Sequence, residues 1–122
     1  MTETTINRGD LFWANPAPEE SSEPGLAHPH LIVQDDVFNH SRVTTVIACA
    51  LSSNLRRANE PGNVLLEDGE GGLERRSVVV VSQVSSIAKD ALGERIGSLS
   101  QARVEQVLAG LRFQQAAFFR GR

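Results

Sequence analysis

Two polar residues stand at the ends of two long polar connections, where the adjoining strands would hold their side chains firmly. His28 lies near the end of the first connection, residues 15–30, and Ser52 is the first residue of the second, residues 52–62. Free histidine titrates near pH ~6.5 and can carry protons at neutral pH, and a serine hydroxyl can both donate and accept a hydrogen bond. Connections of this length in so short a chain are more often functional than idle. The two residues therefore mark a candidate site.

The positive charge of the chain comes almost entirely from arginine, since Lys89 is the one lysine among 12 basic residues. A guanidinium group grips phosphate through two parallel hydrogen bonds. The 15 acidic residues give a net charge of −3, which argues against unselective coating of nucleic acid. However, Arg56 and Arg57 lie in the acid-free segment 37–59. A local basic surface remains compatible with this composition.

A metal site is a second interpretation of the histidines. His28 and His30 are two residues apart, so an extended segment would place both imidazoles on one face. His40, Asp35 and Asp36 lie close enough in sequence to contribute further ligands. The spacing matches no ordered ligand pattern. Zinc found in the purified protein would support this interpretation.

The length of 122 residues and the mass of 13.2 kDa predict a single domain, residues 1–122, because a chain of this size buries one core. We expect flexible tails at 1–7 and 119–122. No apolar run approaches the ~20 residues of a membrane span, and the polar start has no signal-peptide pattern, so the sequence predicts a cytoplasmic protein without membrane contact. Cys49 lies within an apolar run and is expected to pack in the core.

Short runs of β-type residues fill the first four fifths of the chain, and one amphipathic helix closes it. Alternation and apolar runs predict strands at 9–14, 31–34, 43–51, 63–67, 77–84 and 95–99. Ser100 is suited to cap the helix, and an apolar stripe follows it at helical spacing: Val104, Val107, Leu108, Leu111 and Phe118. Five or six strands and a carboxy-terminal helix make an α+β domain.

Four segments carry a family resemblance. They read RGDLFWAN at 8–15, SEPGLAHP at 22–29, IACALSSN at 47–54 and SVVVVSQVSSI at 77–87. Together, and in their spacing, they resemble the MazF/PemK toxins from residue 8 to about residue 111. The resemblance implies a small SH3-like β-barrel of mostly antiparallel strands that forms a homodimer. It also implies a sequence-specific, metal-independent endoribonuclease that acts on single-stranded RNA, needs no cofactor and has a MazE-like cognate antitoxin as its partner.

The resemblance also assigns site residues. His28 stands where the family has a catalytic arginine, and Ser52 where it has a catalytic threonine. Cleavage by the neighbouring 2′-hydroxyl requires a base, an acid and groups that stabilise charge on the phosphate. We therefore expect His28 to act as general base or acid and Ser52 to bind the scissile phosphate. The residues expected to bind RNA are Asn15, Glu23, Ser53, Asn54, Arg56, Arg57, Arg75 and Gln83.

A third interpretation is a binding module that keeps the dimeric barrel without catalysis. Histidine replaces a permanent bidentate cation with a titrating ring, and Asn15 replaces the family's usual aspartate. Such a protein would bind the antitoxin or another macromolecule. An RNA cleavage assay separates it from the enzyme.

Overall fold

The computed structural model describes residues 5–15 and 27–116 of the chain, which form one six-stranded antiparallel sheet and a carboxy-terminal helix. The strands are β1 (Asp10–Ala14), β2 (His28–Ile32), β3 (Thr45–Ser52), β4 (Val64–Leu66), β5 (Ser77–Ala88) and β6 (Arg95–Ser98). Their order across the sheet is β4-β5-β3-β2-β1-β6. The helices are the short α1 (Asp36–Asn39) and the closing α2 (Gln101–Gln115), with 3-10 turns at Leu55–Asn59, Glu70–Gly72 and Lys89–Ala91. The predicted α+β class, a half-barrel of antiparallel strands with a terminal helix, is confirmed.

The bounds predicted for β2 were wrong by three residues at its start. The strand begins at His28 because His28 and Pro29 pair with Ala14 and Trp13 of β1. It ends at Ile32, and the next two backbone amides, those of Val33 and Gln34, both donate to the carbonyl of Ile47. This correction places His28 inside the ladder rather than before it.

The strand β5 is longer than predicted and continues to Ala88. Its second half alternates poorly in hydropathy, yet it pairs with β3 up to the Thr45–Ala88 partners. Its first half pairs with β4, and the segment that joins the two strands includes the 3-10 turn Glu70–Gly72. Thus β3 and β5 form the longest ladder, and both are interior strands of the sheet.

Two apolar clusters lie on the two faces of the sheet. The larger includes Leu31, Cys49, Val79 and Val107, so it is closed by α2. The prediction for Cys49 is confirmed: its side chain is buried, and burial raises the pKa of the thiol to about 12. The smaller cluster contains Phe12, Ile32, Val46 and Ile87.

Ile6 lies within the amino-terminal segment expected to be a flexible tail, yet it is buried in the smaller cluster. Residues 1–4 and 119–122 of the two expected tails lie outside the described residues. The packed part of the chain therefore includes at least Ile6, ahead of the first strand.

The helix α2 begins as predicted. The Ser100 hydroxyl accepts a hydrogen bond from the backbone amide of Arg103 at 3.2 Å. Val104, Val107 and Leu111 are buried, as the stripe predicted, whereas Phe113 remains 60% exposed. Phe118 and Phe119 lie outside the described residues. In the part of the chain that the structure describes, no helix is long and apolar enough to span a membrane.

Three residues of the opening RGD segment have structural contacts. Arg8 Nε donates to the Val33 carbonyl at 2.9 Å. Gly9 has φ +98°, and a Cβ there would lie 3.0 Å from Val104 Cγ2, so the position favours glycine. Asp10 is buried and accepts from the Asn7 backbone amide at 3.0 Å. These three residues therefore stabilise the junction of β1 with the helix α2 and the neighbouring loop.

Candidate active site

One open cleft of about 550 Å³ lies at an edge of the sheet. Because neighbouring strands are antiparallel, the ends of β1 and β3 meet the beginnings of β2, β5 and β6 at this edge. The lining residues are Trp13, Ala27, His28, Pro29, Leu51, Ser52, Ser53, Gly72, Leu73, Glu74, Arg75, Ser77, Glu94, Arg95 and Ile96. Polar side chains from distant parts of the sequence therefore converge on one concave surface.

His28 is the first residue of β2 and has an exposed side chain. Its backbone carbonyl lies 2.9 Å from Nδ1 of the buried His30. A carbonyl can only accept, so His30 donates and carries its proton on Nδ1. Burial, together with the proximity of His28, lowers the pKa of His30 against the opposing effect of this hydrogen bond. The neutral His30 thus fixes the backbone of His28 from within the sheet.

Ser52 is the last residue of β3 and lines the same cleft. The β2–β3 ladder pairs His30 with Ala50, and His28 and Ser52 each lie two residues beyond this pair, at the start of β2 and the end of β3. Ser52 Oγ accepts from the Asn54 backbone amide at 3.1 Å. Because that bond uses an acceptor lone pair, the hydroxyl keeps its proton to donate. The two predicted catalytic residues therefore line the same cleft.

Two of the residues expected to bind RNA also line the cleft. Ser53 follows Ser52 directly, and Arg75 lies in the turn before β5. The Arg75 carbonyl accepts from Ser77 Oγ at 3.2 Å, which ties the turn to the start of that strand. Serine hydroxyls and an arginine thus line the same cleft.

The other predicted RNA contacts lie outside the cleft lining. The Asn54 side chain caps the following 3-10 turn by accepting from the Arg56 amide at 3.2 Å. Arg57 Nε pairs with Glu60 at 3.1 Å. Gln83 is exposed on β5. Also outside the cleft lining are Asn15, which adjoins β1, and Arg56; Glu23 lies outside the described residues.

Sequence reasoning missed the contribution of β6 and of Glu74. Glu94 and Arg95 line the cleft beside Trp13, which is 41% exposed, and Glu74 lines it next to Arg75. The sequence signal that could have identified Arg95 was its position. It begins a predicted strand, and His28 and Ser52 also lie next to the ends of predicted strands. The cleft therefore combines cationic, anionic and aromatic side chains.

The metal interpretation finds no ligand set in the described part of the chain. Within residues 5–15 and 27–116, no group of three or more His, Cys, Asp or Glu side chains is placed to hold a metal ion. His30 Nδ1 is bonded to the His28 carbonyl, and His40 Nε2 lies 2.8 Å from Asn7 Oδ1. The rings of His30 and His40 therefore serve separate local contacts.

Sequence comparison finds one family over most of the chain. The family described as the PemK-like, MazF-like toxin of type II toxin-antitoxin systems matches residues 7–114. Endoribonuclease MazF6 of Mycobacterium tuberculosis is 37% identical over 107 residues, which cover 88% of this chain and 94% of that protein. Endoribonuclease EndoA of Bacillus subtilis is 30% identical over 111 residues, covering 91% and 95%.

Solved structures share the fold. An endoribonuclease from a mycobacterial species superposes with a TM-score of 0.73 and 20% identity over 93% of each chain. A mycobacterial endoribonuclease in complex with its cognate antitoxin gives a TM-score of 0.75 and 20% identity, covering 91% of this chain and 95% of that one. The six-stranded sheet and its terminal helix are therefore a known architecture.

Proposed function

We infer the function of this chain from the fact that it belongs to the PemK-like, MazF-like toxins of type II toxin-antitoxin systems. It is the toxin of such a module and an endoribonuclease that cleaves single-stranded RNA at preferred sequences. The observation that carries the proposal is the convergence of His28, Ser52 and Arg75 on one cleft. A proton carrier, a hydroxyl donor and a cation are the groups that metal-independent RNA cleavage requires.

In the proposed reaction the 2′-hydroxyl oxygen bonds to the adjacent phosphorus while the bond from phosphorus to the 5′-oxygen breaks. The 2′-hydroxyl gives its proton to a base, and the departing 5′-oxygen receives one from an acid. His28 performs one of these transfers, because imidazole gains and loses protons near neutral pH. The products end in a 2′,3′-cyclic phosphate and a 5′-hydroxyl.

Ser52 and Arg75 bind the phosphate in this scheme. The Ser52 hydroxyl, already accepting from the Asn54 amide, donates to a non-bridging phosphate oxygen. Arg75 adds a positive charge from the facing turn. Donors held in place before the reaction stabilise the additional negative charge of the transition state without reorganisation.

The partners follow from the family and from the exposed surface. The proposed partners are a second copy of this chain and a cognate antitoxin of the MazE type, both in the cytoplasm of a prokaryotic cell, where messenger RNA is translated. Phe113 on α2 is 60% exposed, which is a large apolar side chain for a partner to cover. One of the matched solved structures contains an endoribonuclease with its cognate antitoxin.

The experiment is incubation of the purified chain with a long single-stranded RNA in the presence of EDTA, followed by mapping of the ends. The expected result is cleavage at recurring sequences with 2′,3′-cyclic phosphate and 5′-hydroxyl ends. Ser52→Ala should lose activity, and Ser52→Thr, which restores the hydroxyl, should retain it. A chain that binds antitoxin but leaves RNA intact would refute the enzyme and favour the binding module.

A further inference from the structure

His28 stands where the family has an arginine, and the cleft contains another arginine, Arg95, at the start of β6. It lines the same cleft as His28 and Ser52. The strand β1 joins them, because Phe12 pairs with His30 on one side and with Arg95 on the other. Arg95 and the even-numbered positions of β2 thus lie on the same face of the sheet.

Arg95 is anchored through one end of its guanidinium group. Its Nη2 donates to Ser98 Oγ at 2.6 Å and to Asp10 Oδ1 at 3.3 Å. The Ser98 hydroxyl in turn donates to the same Asp10 oxygen at 2.7 Å. Asp10 is 3% exposed, whereas the Arg95 side chain is 47% exposed. A buried carboxylate therefore holds an accessible arginine in a fixed direction.

The anchor leaves most of the guanidinium donors for a ligand. An arginine side chain has five N–H donors, and the two on Nη2 point to Ser98 and Asp10. The donors that remain are the one on Nε and the two on Nη1, and each can form a charge-assisted hydrogen bond to a phosphate oxygen. Because Asp10 and Ser98 already restrict the side chain, binding costs less conformational entropy than it would for a mobile arginine.

Arg57 and Arg76 lie outside the cleft lining and have acidic partners. Arg57 Nε lies 3.1 Å from Glu60, and Arg76 Nε lies 3.2 Å from Glu67. Of the described residues that line the cleft, the arginines are Arg75 and Arg95. Arg75 lies in an exposed turn, and among residues 5–15 and 27–116 its side chain has no buried anchor like that of Arg95.

We propose that Arg95, oriented by Asp10 and Ser98, binds a phosphate of the RNA backbone beside His28 and Ser52. It supplies the permanent charge that a histidine at position 28 does not provide. The inference rests on the proposed function, since it assigns a phosphate contact within that site. Asp10 and Ser98 are positioning residues in this arrangement.

The test uses the cleavage site mapped on RNA with the wild-type chain. The probe is an oligonucleotide that contains this site with a 2′-deoxyribose before the scissile phosphate, so that it binds without being cut. Binding is measured from low to moderate salt for the wild type, Arg95→Gln and the control Arg42→Gln. Arg42 is exposed in the loop before β3, at the opposite edge of the sheet.

We expect Arg95→Gln to reduce kcat/KM about 10- to 100-fold, the loss typical of a charged hydrogen bond. The slope of log binding constant against log salt should become shallower by about 0.7, the value for one phosphate contact on a single strand. Arg42→Gln should change neither quantity. An Arg95→Gln variant that loses thermal stability but keeps the wild-type slope would show a purely structural ion pair and overturn the proposal.

Two further variants keep the test decisive if Arg95→Gln does not fold. Arg95→Lys retains a charge beside Asp10 but loses the separate donors on Nε and Nη1, so kcat/KM should fall severalfold with little change in slope. Ser98→Ala removes the bridge to Asp10 and should lower kcat/KM in the same way. Full activity in both variants would overturn the proposal. A wild-type chain that cleaves no RNA would instead refute the proposed function itself.

Discussion

The contact between α2 and the turn before β4 gives a prediction whose sign is opposite to that of helix propensity. Gly110 lies in the middle of α2 and faces Gly62. A Cβ at position 110 would lie 2.1 Å from the Gly62 carbonyl oxygen and 3.2 Å from Val81 Cγ1. Ordinary van der Waals contacts begin near 3.4 Å. The helix and the turn would therefore have to separate by about 1.3 Å to bring this 2.1 Å distance to an ordinary contact.

Gly110→Ala should therefore destabilise the fold. Alanine gains about 1 kcal/mol over glycine in a helix interior. Overpacking costs about 1–3 kcal/mol, and the upper value applies because the obstacle is backbone rather than a flexible side chain. The difference is a loss of about 2 kcal/mol. In a domain of this size the melting temperature would fall by about 8 °C.

The assay is thermal unfolding followed by circular dichroism at one fixed protein concentration, because dimerisation makes stability depend on concentration. The matched control is Ala109→Gly at the exposed neighbouring position, which should lose only the propensity of about 1 kcal/mol. If helix propensity governed both sites, Gly110→Ala would gain what Ala109→Gly loses. A Gly110→Ala variant that melts above the wild type would refute the packing argument.

Two other predictions follow from buried or paired groups. Arg103 lowers the pKa of Glu70 through two hydrogen bonds at 2.8 and 2.9 Å, so the carboxylate stabilises the folded state above its unfolded pKa and loses this effect as pH falls through the folded value. Glu70→Gln should therefore lower the free energy of unfolding by about 1–2 kcal/mol at pH 7 and by progressively less in acid. Urea unfolding at a series of pH values measures this loss. An equal loss at pH 3 would contradict the pairing. Burial raises the pKa of the Cys49 thiol to about 12. In the native protein this thiol should resist a thiol-reactive dye at pH 8, and it should react once the protein is unfolded. Rapid labelling of the native protein would contradict the burial of Cys49.

The strands and the terminal helix were predictable from local pattern. Apolar runs and alternation marked β3, β5 and the stripe of α2, and Ser100 marked the helix start. The beginning of β2 was not predictable in this way, because the sequence His28-Pro29-His30 has no apolar periodicity and its pairing depends on β1. Tertiary pairing determines strand bounds where propensity is weak.

The candidate site was predictable in part. His28 and Ser52 flank predicted strands in the sequence, and both line the cleft. The anchor of Arg95 was not visible, because its partner Asp10 is 85 residues away in the chain. Arg57, by contrast, was expected to bind RNA and pairs with Glu60 three residues later. Long-range contacts, rather than residue type, decide which arginine faces the cleft.

The most direct test of the account is the cleavage rate of His28→Ala compared with the wild type on the mapped RNA, followed from pH 5 to pH 8. With His28 as base, the wild-type rate rises through this range; with His28 as acid, the rate falls. Loss of at least about 100-fold in His28→Ala, with disappearance of that limb, is the expected result. Cleavage by His28→Ala at the wild-type rate, with an unchanged pH profile, would contradict the central claim.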